Sequence, residues 1–221
     1  MCLTAIQAGA VQRRMISPSH STPRASVFVE YHPAVQVGGD YGWARSVGDE
    51  RMYAVVADVS GHGITSSLVA SRIAPELFCS LIDFTEREIR YVNCGHPGPL
   101  LWSERYRVFA KLQAEDYPVG LFEPDFFGRP RAKTASFEMG DKLVLYTDGA
   151  LGLRRPDGSE LGEVGLREAF RGVLEVTTEE SVKALFERFK TLHEAHPIDD
   201  LLVMIIDLHG GGSGTAEPAA P

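Results

Sequence analysis

Apolar and polar positions along the chain change their period several times, and each change predicts an element. Val27, Val29 and Tyr31 alternate with Ser26, Phe28 and Glu30, the period near two of a strand. Met52–Ala57 is a near-continuous apolar run that ends at Asp58, as a buried strand would. Leu77–Phe84 and Glu88–Asn93 flank Thr85-Glu86-Arg87 and predict a hairpin. Leu100–Trp102 and Tyr106–Leu112 predict further strands, and Lys133–Glu138 alternates. Lys142–Thr147 is a second buried strand that runs into an aspartate, and Leu201–Leu208 is a last, almost wholly apolar one.

Helical spacing appears in fewer places. Residues 64–74 predict a helix opened by Gly61-His62-Gly63 and stopped near Pro75. Leu161, Val164, Leu166, Ala169, Phe170 and Val173 predict a helix over Leu161–Leu174. Another starts at Thr177, where a capping box forms with Glu180, and carries Val182, Leu185, Phe186, Phe189 and Leu192 on one face. Residues 3–15 predict a short N-terminal helix, Ser17–Pro23 a linker, and Gly210–Pro221 a disordered tail. The expected division is a helix and linker stub over residues 1–23, one folded domain over 24–209, and a tail over 210–221. Strands arranged in hairpins, with helices segregated from them, favour an α+β domain with antiparallel sheets over a doubly wound fold.

Length agrees with one domain, since 221 residues can bury a sizeable core. The net charge of −8, with no basic stripe, argues against a nucleic-acid partner. The three cysteines, Cys2, Cys79 and Cys94, have no metal-ligand spacing and are odd in number, which argues against a disulfide framework. Cys79 and Cys94 sit in apolar runs and read as small core residues. Without a signal-like segment or a run of membrane-spanning length, no membrane partner is expected, and the cytoplasm is the default location.

Against this ordinary background the acidic positions stand out. Asp40 follows Gly38-Gly39, Asp58 opens Asp58-Val59-Ser60-Gly61-His62-Gly63, Asp148 lies in Tyr146-Thr147-Asp148-Gly149, and Asp199-Asp200 precedes the last strand. Carboxylates at strand ends can converge in space while far apart in sequence. Converged carboxylates repel unless a positive charge sits among them, and hard divalent cations such as Mg²⁺ or Mn²⁺ take oxygen ligands. Two such ions would lower the pKa of a bridging water and orient it for in-line attack on a phosphate ester. Asp58 could bridge them, the Val59 carbonyl could add a neutral oxygen, and Asp148 and Asp199 could complete the set. Any one Asp-Gly turn alone is ordinary; the ordered set carries the reading.

The segments Val37-Gly38-Gly39-Asp40, Ala57-Asp58-Val59-Ser60-Gly61-His62-Gly63, Tyr91-Val92-Asn93-Cys94-Gly95-His96-Pro97, Leu145-Tyr146-Thr147-Asp148-Gly149 and Asp199-Asp200 resemble bacterial PPM-type serine/threonine phosphatases of the SpoIIE/RsbU branch. The resemblance runs from about Val27 to Leu208. It implies an α-β-β-α sandwich of two antiparallel sheets flanked by helices, and a centre of two Mn²⁺ or Mg²⁺ ions. It implies hydrolysis of phosphoserine or phosphothreonine by metal-activated water. Carried onto this chain, the metal ligands would be Asp40, Asp58, the Val59 carbonyl, Asp148 and Asp199, with Asp58 and Asp148 central to catalysis. Gly39, Gly61, His62, Asn93, His96, Gly149 and Asp200 would shape the loops around them. The implied substrate is a phosphorylated anti-anti-sigma protein of the STAS type, whose dephosphorylation frees a sigma factor. Residues 6–18 resemble the end of a linker helix that joins a sensor domain in this branch, and a homodimer through that helix is a further expectation.

The chain departs from the pattern in three places. Two long helices normally lie between the Asp-Val-Ser-Gly-His-Gly segment and the next strand, whereas Ile64–Glu76 leaves room for one short helix. The early helical layer is therefore expected to be shortened, leaving part of a sheet open or covered by a partner. Trp43 stands where a second aspartate is frequent, and Leu202 where a threonine is usual. These departures favour the alternative of a degenerate phosphatase fold that binds a partner without turnover. His62 is a candidate proton donor or loop residue, His96 a turn residue, and His193 and His196 candidates for binding carbonyls at a helix end. Arg72 and Arg154-Arg155 are candidate phosphate contacts, more simply read as solvated.

Overall fold

The computed structural model describes residues 13–14, 16–35, 37–59, 75–114, 116–121, 130–174 and 179–209. Eleven strands and three helices are formed there: β1 (His20–Ser21), β2 (Ala25–His32), β3 (Tyr41–Val47), β4 (Arg51–Asp58), β5 (Glu76–Asp83), β6 (Glu88–Cys94), β7 (Leu100–Ser103), β8 (Val108–Lys111), β9 (Lys133–Ser136), β10 (Lys142–Tyr146), α1 (Asp148–Leu151), α2 (Gly162–Leu174), α3 (Glu179–Ala195) and β11 (Leu201–Leu208). The expected helix over 64–74, the capping box at Thr177, the tail from Gly210 and most of the N-terminal helix lie outside the described residues, as do Arg72, Gly61 and His62. Arg13 and Arg14, the described part of the N-terminal segment, are helical.

The strands form two sheets in which every pairing is antiparallel. One has the order β1-β2-β11-β10-β7-β8 and the other β3-β4-β5-β6-β9. Strand β11 shows how they stack. Leu202, Met204, Ile206 and Leu208 enter a core shared with Ala44, Met52, Ala54, Val56, Phe78 and Ile82 of the five-stranded sheet. Leu201, Val203 and Ile205 point the other way, into a second core with Phe170, Leu174, Val182, Leu185 and Phe189 of α2 and α3. A strand segment buried on both faces must be apolar, which explains the hydrophobic run Leu201–Ile206. The outer face of the five-stranded sheet, with Val55, Leu77, Cys79, Leu81 and Val92, is half-buried, and none of α1–α3 packs on it. The expected α+β sandwich of two antiparallel sheets is the fold, with its described helices on the six-stranded side.

Three elements differ from the sequence expectation. Strand β3 follows Asp40 directly, although no alternation announced it. Its inward positions are Gly42 and Ala44, and a Cβ on Gly42 would press into the Leu202 side chain. The inward face is small because Leu202 fills the space, so the apolar signal is missing. The segment read as a linker is packed: Ile16 is buried between the sheets, Ser17 Oγ bonds the Ala44 backbone, and β1 pairs with β2. The folded unit thus reaches back to Ile16, ahead of the boundary that linker composition placed at residue 24. Glu76, left between the helix expected over 64–74 and the strand expected over Leu77–Phe84, is the first residue of β5.

Candidate active site

Backbone register brings the acidic residues together. In β4, Met52, Ala54 and Val56 face the inter-sheet core, so Asp58 leaves the strand on that same inner face. The β3–β4 register ends with Tyr41 opposite Ala57, and Asp40 and Asp58 are the next residues on the two chains. Asp58 is directly opposite Glu76 of β5, whose inner-face neighbours are Phe78, Ser80 and Ile82. From the other sheet, β10 delivers Thr147 and Asp148, and the start of β11 delivers Asp199 and Asp200.

Asp40 is almost wholly buried. It accepts a 2.6 Å hydrogen bond from Thr147 Oγ1, which in turn accepts one from the Leu202 amide. Burial, helped by the charges of Asp58, Asp200 and Asp148, holds the Asp40 carboxyl well above its usual range, against the pull of the Thr147 bond. Burial pushes Asp58 up to about 7, followed by the charges of Asp148, Asp199 and Glu76 and by a hydrogen bond to Asp148. Asp148 is raised too, by burial and then by Asp199, while the bonds from Asp58 and from the Gly149 amide pull it down. Glu76 is raised by burial and by Asp148. Like charges held this close raise one another's affinity for a proton.

Asp200 is built differently. Its Oδ1 accepts the Ala34 amide and its Oδ2 the Gly39 amide, and a Cβ on Gly38 would overlap its carboxylate. A Cβ on Gly149 would overlap the Asp200 carbonyl. Asp200 thus ties the loop before Asp40 to the turn at Asp148, with both side-chain oxygens committed to backbone amides. Asp199 accepts the Asp200 amide on Oδ1, and its carbonyl accepts a 2.8 Å bond from Nε2 of the buried His193. The role of His193 at the end of α3 is therefore to hold the Asp199 loop.

Other candidates lie apart from the carboxylates. Asn93 is buried and donates Nδ2 to the Leu112 carbonyl, and His96 Nδ1 bonds the Pro97 carbonyl. Burial pushes His96 down to about 4, so it is neutral near pH 7. Val59 follows β4 as the last described residue before position 60. Trp43 pairs with Val55, a half-buried strand residue rather than part of the acidic row. Arg155 donates to Ser159 Oγ and to the carbonyls of Glu160 and Leu161, and Arg154 lies near Glu160, so both fasten their own loop. Sequence reasoning passed over Glu76 as a member of the row and Thr147 as its anchor. Thr147 lay within a quoted motif, whereas Glu76 had no local signal.

A cavity of about 200 Å³ opens beside Asp148 and Asp199, walled by Gly152, Leu153, His193, His196 and Ile198. The charges that raise Asp58, Glu76 and Asp148 come from one another and from Asp199 and Asp200. The donors are all oxygen and mutually repelling, which fits a hard divalent cation. Among the described residues no three His, Cys, Asp or Glu side chains already surround one point, so ion binding would draw the carboxylates in.

The family model of Stage II sporulation protein E (SpoIIE) matches residues 75–209, from the start of β5 to the end of β11. The chain belongs to the SpoIIE family. Among curated relatives, this SpoIIE-family chain is 25% identical over 179 residues to the phosphoserine phosphatase RsbP of Bacillus subtilis (strain 168). The match covers 64% of this chain and 43% of that protein, so the chain spans less than half of its relative's length. Among solved structures, the SiaA-PP2C domain of Pseudomonas aeruginosa superposes with a TM-score of 0.76 at 16% identity, covering 93% of this chain and 96% of that one. The RsbU and RsbW domains of Rv1364c from Mycobacterium tuberculosis give 0.69 at 20% identity, covering 86% and 62%. RsbX in complex with magnesium gives 0.62 at 18%, covering 86% and 98%. These likenesses place the two-sheet architecture in the PP2C fold.

Proposed function

We propose that this SpoIIE-family chain is a metal-dependent protein phosphatase that hydrolyses a phosphoserine or phosphothreonine of a regulatory partner, a phosphorylated STAS-type anti-anti-sigma protein. The observation that carries the reading is the convergence of Asp40, Asp58, Asp148 and Asp199 from four chain segments, with Asp58 raised to about 7 among other carboxylates. A fold does not keep repelling acids together without a use for them, and perturbed carboxylates in a cleft mark functional sites. The phosphatase name of RsbP and the RsbU and RsbW domains of the solved neighbour support the substrate class and the partner-switching role.

Asp40, Asp58, Asp148, Asp199 and the Val59 carbonyl would hold two Mn²⁺ or Mg²⁺ ions. When bound, such ions supply an activated water and neutralise phosphate charge. The chain's own residues do the rest. Thr147 fixes the Asp40 carboxylate, Asp200 locks Gly39 and Ala34 so that Asp40 stays in register with Asp58, and His193 sets the Asp199 loop. The cavity beside Asp148 and Asp199 gives the residues flanking the phosphate a place to lie.

Phosphate release from para-nitrophenyl phosphate, and from a phosphorylated STAS protein, tests the reading with and without Mn²⁺. Mn²⁺-dependent release that Asp148→Asn abolishes is the expected result. Folded, Mn²⁺-bound protein that releases nothing from either substrate decides for the alternative, a partner-binding module without turnover.

A further inference from the structure

Strands β3, β4 and β5 are neighbours in the five-stranded sheet, and each has an acidic residue at the same end. Asp58 faces Glu76 directly across the β4–β5 ladder, and Asp40 is the next residue beyond the Tyr41–Ala57 pair on the other side of β4. Inner-face parity runs through all three positions: Gly42 and Ala44 for Asp40, Val56 and Ala54 for Asp58, Phe78 and Ser80 for Glu76. Side chains directly opposite in an antiparallel pair have Cβ atoms roughly 5 Å apart. Like charges placed there destabilise the sheet. The row Asp40–Asp58–Glu76 is therefore a standing cost at the mouth of the inter-sheet cleft.

Acids at the opposite end of the sheet are relieved. Asp83, at the other end of β5, takes Arg51 and the amides of Thr85 and Glu86, and Glu50 takes Arg24 and Thr85. Glu76 is half-buried, feels the charge of Asp148 from the facing sheet, and has no such partner among the described residues. Its side chain is one methylene longer than that of Asp58, which gives it reach into the space between Asp58 and Asp148.

Resting on the metal centre proposed above, we infer that Glu76 supplies a further carboxylate oxygen to that centre, from the β5 side of Asp58. The two ions would then be held by acids of three adjacent strands on one sheet and by the Asp148 and Asp199 loops on the other. A fifth carboxylate strengthens attraction for a divalent ion and makes the ion-free site more repulsive, so the sheet edge is stabilised only when the metal is bound.

Calorimetric titration of Mn²⁺ into the full chain, beside thermal melts with and without Mn²⁺, tests this without recourse to activity. Glu76→Gln keeps the side-chain shape and removes the charge. It is expected to weaken Mn²⁺ binding about ten-fold or more, while the ion-free melting temperature stays level or rises. Equal Mn²⁺ affinity in Glu76→Gln and the parent overturns the role of Glu76 and leaves the metal centre standing. A parent protein that binds no Mn²⁺ overturns the metal centre and this inference with it. If Glu76→Gln does not fold, Glu76→Asp takes its place: its shorter reach is expected to weaken binding several-fold, and unchanged affinity overturns the inference.

Discussion

Thr147 Oγ1 donates to Asp40 at 2.6 Å while accepting the Leu202 amide at 3.1 Å, so one buried hydroxyl joins the acidic row of one sheet to the central strand of the other. Thr147→Val leaves Asp40 without its donor and the Leu202 amide without its acceptor. Stranding buried polar groups costs about 1–3 kcal/mol each. Urea unfolding is expected to show a loss of that order, and Mn²⁺ titration a weaker affinity. Thr147→Ser, which keeps the hydroxyl, should recover most of both. A Val variant with parental stability and affinity would remove Thr147 from the site's support.

Gly149 is the tightest glycine of the site. A Cβ there overlaps the Asp200 carbonyl and lies 2.8 Å from its carbon, whereas at Gly152, three residues on, the nearest atoms are 3.8 Å away. Backbone cannot step aside as a flexible side chain can. Gly149→Ala is expected to destabilise the fold by roughly 1–3 kcal/mol and to weaken Mn²⁺ binding by displacing the Asp199-Asp200 loop. Gly152→Ala should leave both near the parental values. Parallel urea and Mn²⁺ titrations of the two variants make the comparison.

His96 sets an acid limb on stability. Its folded pKa is pushed down to about 4 by burial, while an unfolded histidine titrates near 6.5. Between those values the unfolded chain binds the extra proton. The stabilisation is therefore complete above roughly pH 6.5 and is lost as pH falls toward 4, by up to about 3 kcal/mol. The raised carboxyls of Asp40, Asp58, Asp148 and Glu76 pull the other way in this window, so the limb is read as a difference: between pH 7.5 and 4.5 the parent's urea midpoint should lose ground to that of His96→Asn. Parallel slopes would show that the His96 ring is not held neutral by burial.

How much of this was legible in the chain depends on where each signal resides. The strands from Met52–Ala57 onward announced themselves by runs or alternation, because their inner faces carry Met52, Val56, Phe78, Ile82 and Leu143. Strand β3 did not, because Gly42 yields its volume to Leu202 across the cleft. The same contact explains Leu202 itself: it is a core residue packed against Gly42. His193 looked like a helix-end residue that caps carbonyls. The carbonyl it bonds is that of Asp199, six residues on, beyond the helix.

Local chemistry was enough to mark Asp40, Asp58, Asp148 and Asp199-Asp200, since each sits at a turn beside an apolar strand, and their order pointed to the family. That much the sequence determined alone: strand periodicity and turn residues are properties of neighbours in the chain. Tertiary structure alone decided which acids meet. Glu76 joins Asp58 only because β4 and β5 pair in one register, and a shift of one residue would turn it to the other face. Asp200 is a tether because Gly38 and Gly149 leave room for it from two distant loops. Burial, register and close approach belong to pairs of residues far apart in the chain, so no single segment of the sequence could display them.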